Sequence, residues 1–125
     1  MKLTPIDPHK DLNSRQKENY NYHKFSAVLA DFGFTTIRLS DDWESADMIA
    51  LGNDGECFLK IQLKSRLTFS DKYSGERKNI WICFPNDDDW YLYPHDTLLT
   101  SVIKETNIKN TKSWIENKEY TFPSN

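Results

Sequence analysis

Asp47, Gln62 and Lys64 are the residues of this chain best placed to do chemistry, because a single turn brings them together. They flank the stretch ADMIALGNDGECFLKIQLK (46–64), two short apolar runs separated by Asn53-Asp54-Gly55-Glu56. Asp-Gly between alternating apolar runs predicts a β-hairpin with a primed turn, whose centre needs positive φ. Centred on Asp54-Gly55, the hairpin sets Asp47 opposite Gln62, Met48 opposite Ile61 and Ala50 opposite Leu59, with Lys64 following Gln62 on its own face. A carboxylate and an amide oxygen on adjacent strands can hold Mg²⁺, a hard cation that prefers oxygen and keeps several waters. A lysine beside the site stabilises hydroxide or developing phosphoryl charge. These are the parts of metal-assisted phosphodiester hydrolysis. The competing reading is a solvated sheet face, with Lys60, Gln62 and Lys64 in water and Leu59, Ile61 and Leu63 in the core.

The elements that must position these residues follow from periodicity. Residues 1–12, with two prolines, read as an irregular arm. Asn13 followed three residues later by Gln16 resembles a capping box and starts a helix. Tyr22, Phe25, Val28, Leu29 and Phe32 have helical spacing, and Gly33 is its stop. Glu18 lies on this helix where the apolar stripe begins, either as a solvated first-turn carboxylate or as a group aimed into a site. Phe34 to Leu39 alternates as a strand, and Ser40 to Ser45, with Trp43 and three carboxylates, reads as a polar loop. After the hairpin, Arg66 to Phe69 is expected to prolong the third strand, and Ser70 to Asn79 reads as a mobile basic loop. Ile80 to Phe84 is a candidate central strand, and Pro85 to Asp89 a turn. Trp90 to Tyr93 is another strand, and Pro94 sits where a helix through Leu98, Leu99, Val102 and Ile103 can start. The tail 107–125 is loosely structured, with an amphipathic scrap at Trp114-Ile115 and a short strand at Tyr120 to Phe122. The expected fold class is therefore mixed α/β: a mixed central sheet with an N-terminal helix, a three-strand antiparallel meander, two further strands and a C-terminal helix.

Composition bounds the rest. At 125 residues, 38% hydrophobic and 14% aromatic, the chain predicts one folded domain spanning 1–125. A net charge of −3 offers no blanket attraction to nucleic acid or to an anionic membrane, so any such binding must rest on a local patch. Cys57 and Cys83, expected inside strands, read as free thiols of a reducing compartment. No apolar leader or membrane-length run is present, which predicts a soluble, cytoplasmic protein without a membrane partner.

The order of elements adds a resemblance. Glu18 in QKENYNYHKF, Asp47 in SADMIAL, and Gln62 with Lys64 in FLKIQLKS stand where the PD-(D/E)xK, or restriction-endonuclease-like, nuclease superfamily carries its site residues. The run GFTTIRLSDDWESADMIALGNDGECFLKIQLKS is similar to archaeal Holliday-junction resolvases and Mrr-type nucleases, with Gln-x-Lys in place of the commoner acidic form. The resemblance spans Asn13 to Ser65. It implies an endonuclease acting on DNA with Mg²⁺ or Mn²⁺, often as a homodimer, since a single small domain contacts only one strand. By the same comparison Asp47 and Gln62 are metal ligands, joined by the Leu63 carbonyl. Lys64 positions or activates the water, and Glu18 supports a second metal or its waters. Lys60, Arg66, Lys72 and Arg77 become candidate phosphate contacts. Three departures stand out: Gln62 lacks the usual charge, Ser45-Ala46 replaces the proline expected before Asp47, and no crossover helix is evident after the third strand. The alternative function is a catalytically silent module of the same fold, binding nucleic acid or a protein partner.

WYLYPHD (90–96) is the second conspicuous segment. Its aromatics could stack on bases and His95 could act as acid or base; alternatively the aromatics fill the core before a helix capped by Asp96. The histidines and cysteines show no zinc-ligand spacing, and no Ser-His-Asp or phosphate-loop motif is present.

Overall fold

The computed structural model describes residues 1–123, apart from the side chains of Asp42 and Trp43; residues 124 and 125 of the tail lie outside it. Helix α1 is a single turn, Pro8–Asp11, so the N-terminal arm is not wholly irregular: Asp7 caps it by accepting the His9 N–H. Helix α2, Ser14–Ala30, starts at the expected capping box. Asn13 Oδ1 accepts the Gln16 N–H and Gln16 Oε1 accepts the Asn13 N–H, both at 2.9 Å. Gly33 ends it with φ +83°. Phe25 and Leu29 are buried, but Phe32 is exposed because the helix stops before it can join the stripe.

The sheet runs β1 (Phe34–Trp43), β2 (Ala46–Gly52), β3 (Phe58–Leu63), β5 (Ile80–Asn86) and β6 (Asp89–Pro94), in the order β1-β2-β3-β5-β6. All neighbours are antiparallel except β3 and β5. Arg66 to Phe69 does not prolong the third strand: β4 (Thr68–Ser70) leaves this sheet and pairs with β7 (Glu119–Thr121). Helix α3 (His95–Glu105) and the short α4 (Lys112–Asn117) complete the chain.

Both turns of the meander differ from expectation. Ser40 to Ser45 is not a loop. β1 continues to Trp43, with an irregularity after Arg38, and reverses over Glu44-Ser45, where both residues have positive φ (51° and 70°). That is the primed geometry, reached without the glycine that usually marks it. At Asp54-Gly55 the turn is wider: Gly52 N–H bonds the Cys57 carbonyl, Gly55 N–H bonds the Gly52 carbonyl, and only Gly55 has positive φ. Asp54 Oδ1 accepts the N–H groups of Glu56 and Cys57, which holds its carboxyl below the usual carboxylate range. The loop stays symmetric about its centre, so the pairing is unchanged, with Met48 opposite Ile61 and Ala50 opposite Leu59.

The core has three parts. Phe25 and Leu29 of α2 cover Met48, Ala50, Ile61 and Cys83. A second cluster joins Ala46, Ile80 and Ile82 to Tyr73. Phe69, Leu99 and Ile108 close a third under the small sheet. Cys83 is buried, whereas Cys57 lies in the turn ahead of β3, half-buried; both are free thiols. No helix among the described residues is long and apolar enough to cross a membrane.

The parallel step from β3 to β5 requires a crossover, normally helical. Here it is made by β4 and one 3-10 turn, Asp71–Tyr73. Hydrogen bonds tie this segment to its surroundings. Gly75 N–H bonds Asp96 Oδ2, Lys60 Nζ reaches the Arg77 carbonyl, and Ser45 Oγ and Lys78 Nζ both donate to the Lys72 carbonyl. His95 is part of the same brace. It is fully buried, its Nε2 accepts the Ser70 N–H at 3.1 Å, and Nδ1 faces Asp96 Oδ1 at 2.9 Å. Accepting at Nε2 leaves the ring proton on Nδ1, so both nitrogens are used for structure. Asp96 serves this network and not as the cap of α3.

Candidate active site

An open cleft of about 900 Å³ lies at the end of the sheet where β1 runs out, β2 begins and β3 finishes. Asp47, Gln62, Leu63 and Lys64 line it from the strands, and Glu18 lines it from α2. The topology explains the convergence. Antiparallel pairing puts the start of β2 beside the end of β3: Met48 is opposite Ile61, and Asp47 and Gln62 are the next residues outward on each strand. Asp47 Oδ2 accepts the backbone N–H of Leu63 at 2.9 Å, so the carboxylate is fixed by the next strand. Lys64 lies one residue past β3, and its own N–H continues the parallel ladder to the Cys83 carbonyl at 2.8 Å. Its ammonium lies over the face of the Tyr73 ring, 5.4 Å from the centroid.

Helix α2 forms the opposite wall because its burial is lopsided. Buried residues are confined to Phe25 and Leu29, so the first turns overhang the sheet end and present polar side chains. Arg38 of β1 reaches back to this overhang: it donates to Asn19 Oδ1 and stacks over Tyr22, 5.2 Å from the ring centroid. Thr36 reinforces the contact, donating to Ser26 Oγ at 2.9 Å with the Tyr22 hydroxyl 3.3 Å away. Arg15, Lys17, Arg38 and Lys64 border the cleft against Glu18, Asp41 and Asp47, so its ionisable lining is one charge positive on a chain of net charge −3. Such a local surplus is what an anionic substrate needs.

Arg15, Lys17, Arg38 and Asp41 were not among the residues singled out from sequence. The usable signal was the polar run Ser14 to Asn21 on a helix whose apolar stripe starts late, together with an arginine on the strand facing it. The four basic residues expected to contact phosphate are not gathered here. Lys60 forms an ion pair with Glu44 at 2.9 Å, which lowers the Glu44 carboxyl pKa. Arg66 is exposed just past Ser65 on the rim, Arg77 is exposed on the crossover, and the Lys72 ammonium shares the Tyr73 ring with Lys64, 5.2 Å from its centroid.

The donors fit a hard cation by type. Asp47 carboxylate, Gln62 amide oxygen and Leu63 carbonyl are all oxygens, and a single carboxylate suffices where a magnesium ion keeps most of its waters. Among the described residues no group of three or more His, Cys, Asp and Glu is arranged as a metal cage.

No protein-family model matches the chain, and no curated protein does. Among solved structures it is similar to Hjc of Archaeoglobus fulgidus, a Holliday junction resolvase from an archaeal hyperthermophile. The likeness has a TM-score of 0.50 at 19% identity, over 64% of this chain and 74% of that one. At that identity it is a likeness of fold: the two proteins share a mixed α/β core.

Proposed function

We propose that this chain is a metal-dependent nuclease hydrolysing phosphodiester bonds of DNA in the cleft between α2 and the sheet end. The observation that carries the reading is the meeting of Asp47, Gln62, Lys64 and Glu18 around one cleft, on a fold like that of a resolvase. Asp47, Gln62 and the Leu63 carbonyl would hold Mg²⁺ or Mn²⁺, which when bound supplies Lewis-acid stabilisation of phosphoryl charge. Lys64 holds its positive charge beside the phosphate and orients the attacking water by hydrogen bonding. Glu18 accepts from water on the helix side. Arg15, Lys17 and Arg38 hold neighbouring phosphates, and the Arg38 guanidinium is already oriented by Asn19 and Tyr22. Two copies, one for each strand, make the working unit.

One observation favours a second reading. Gln62 is neutral, so the strand pair brings a single carboxylate to the metal position; this suits a module that binds DNA, or a protein partner, without cutting it. The two are separated by incubating the protein with supercoiled, linear, single-stranded and branched DNA in Mg²⁺ or Mn²⁺, beside Asp47→Ala and Lys64→Ala. Cleavage abolished by both substitutions is the expected result. DNA binding that survives both, with no cleavage by any form, supports the silent module. Indifference to every nucleic acid overturns both readings.

A further inference from the structure

Tyr73 is buried, 2% exposed, beside the start of β2. Its hydroxyl makes no hydrogen bond of good geometry among the described residues, and the Lys72 ammonium is a polar neighbour close enough to act on the phenol. Its surroundings supply a reason for an aromatic ring. The ammonium groups of Lys64 and Lys72 both lie within the range, about 6 Å, over which a ring face attracts a cation. The ring cannot swing away from them. It meets His95 edge-on at 5.7 Å, and His95 is clamped between the Ser70 N–H and Asp96. Tyr73 also ends the 3-10 turn whose Lys72 carbonyl is tied to Ser45, next to the start of β2.

Lys64 needs such a support. It follows the last residue of β3, and its four-carbon stem is flexible. Arg38 on the other wall is held in the same fashion over Tyr22, so both central cations of the cleft rest on tyrosine rings.

We propose that Tyr73 is a positioning residue of the cleft, its fixed ring face holding the Lys64 ammonium beside Asp47 and Gln62. The contribution to catalysis rests on the nuclease reading; the contact itself does not.

The test combines selective ¹³C labelling at lysine Cε with cleavage kinetics on the full chain. In the unsubstituted protein the Lys64 ε-protons should be shifted upfield by the ring current. Tyr73→Phe should preserve that shift, and Tyr73→Leu should return it to the position of a solvated lysine. In cleavage, Tyr73→Phe should stay within about threefold of the parent, while Tyr73→Leu should lower kcat about tenfold or more with KM for DNA nearly unchanged, since misplacement costs rate more than binding. Should Tyr73→Leu not fold, Lys64→Met reads the same contact from the other side, displacing the Tyr73 ring resonances without lowering Tm. A Lys64 shift indifferent to loss of the ring, ring resonances indifferent to Lys64→Met, or an unchanged kcat in folded Tyr73→Leu would each overturn the inference. A protein that shows the ring-current shift yet cleaves nothing overturns the nuclease reading and supports the contact.

Discussion

Asp47 carries two duties that substitution can separate. Its Oδ2 accepts the Leu63 N–H across the strands, and its charge faces the cleft. Asp47→Asn keeps an acceptor for that N–H, so stability should hardly change while cleavage falls by about a hundredfold or more, the scale on which removing a preorganised electrostatic group acts. Asp47→Ala also strands the half-buried N–H, adding a loss of about 1 kcal/mol in urea denaturation. Equal stability losses for both variants would show that the carboxylate is structural. Gln62→Glu works in the opposite direction. Restoring a charged oxygen donor should lower the Mg²⁺ concentration for half-maximal cleavage by about tenfold, the scale of a single favourable ion contact. A metal titration that does not move would remove Gln62 from the metal position.

At the scale of elements, the two hairpin turns show what was legible and what was not. The pairing of β2 with β3 could be read from Asp54-Gly55 because a turn that is symmetric about that centre gives the same partners whatever its type. The turn type could not, because Asp54 uses its side chain to cap the backbone and leaves positive φ to Gly55 alone. Gly55→Ala tests this cleanly, since an added Cβ there would meet no atom within 4 Å. The cost, about 1 kcal/mol, should come from the left-handed backbone alone and should leave cleavage untouched. A loss of cleavage would mean that the turn reaches the site. The reversal at Glu44-Ser45 gave no such signal. Its positive φ values fall on residues with no preference for them, and the brace that holds them, Glu44 to Lys60 and Ser45 to the Lys72 carbonyl, comes from distant segments. Residues 66–79 were undecided for a related reason: Thr68–Ser70 finds its partner strand only at Glu119–Thr121, near the other end of the chain.

For the whole molecule, the placement of titratable groups predicts an asymmetric response to pH. Burial raises the pKa of the Cys83 thiol above 9.0 and those of the Tyr73 and Tyr93 phenols above 10.0, and these groups are spread over all three core clusters. The folded state therefore holds protons that the unfolded state releases first. Stability is fully present below about pH 9 and falls as pH rises through the folded pKa values, because the native form then binds more protons than the denatured one. The acid side has the opposite sign. Glu44 and Asp54 have lowered pKa values, so their contribution is present above 4.5 and 3.8 and is lost as pH falls; both are solvent-exposed, which makes that limb shallow. Urea midpoints measured from pH 3 to 11, a range chosen to span the ordinary pKa values of these groups, should show a steep alkaline fall and a gentle acid one. Tyr93→Phe combined with Cys83→Val should flatten the alkaline slope whatever it does to stability at neutral pH. An alkaline slope unchanged in that variant would mean that Cys83 and Tyr93 do not carry the loss.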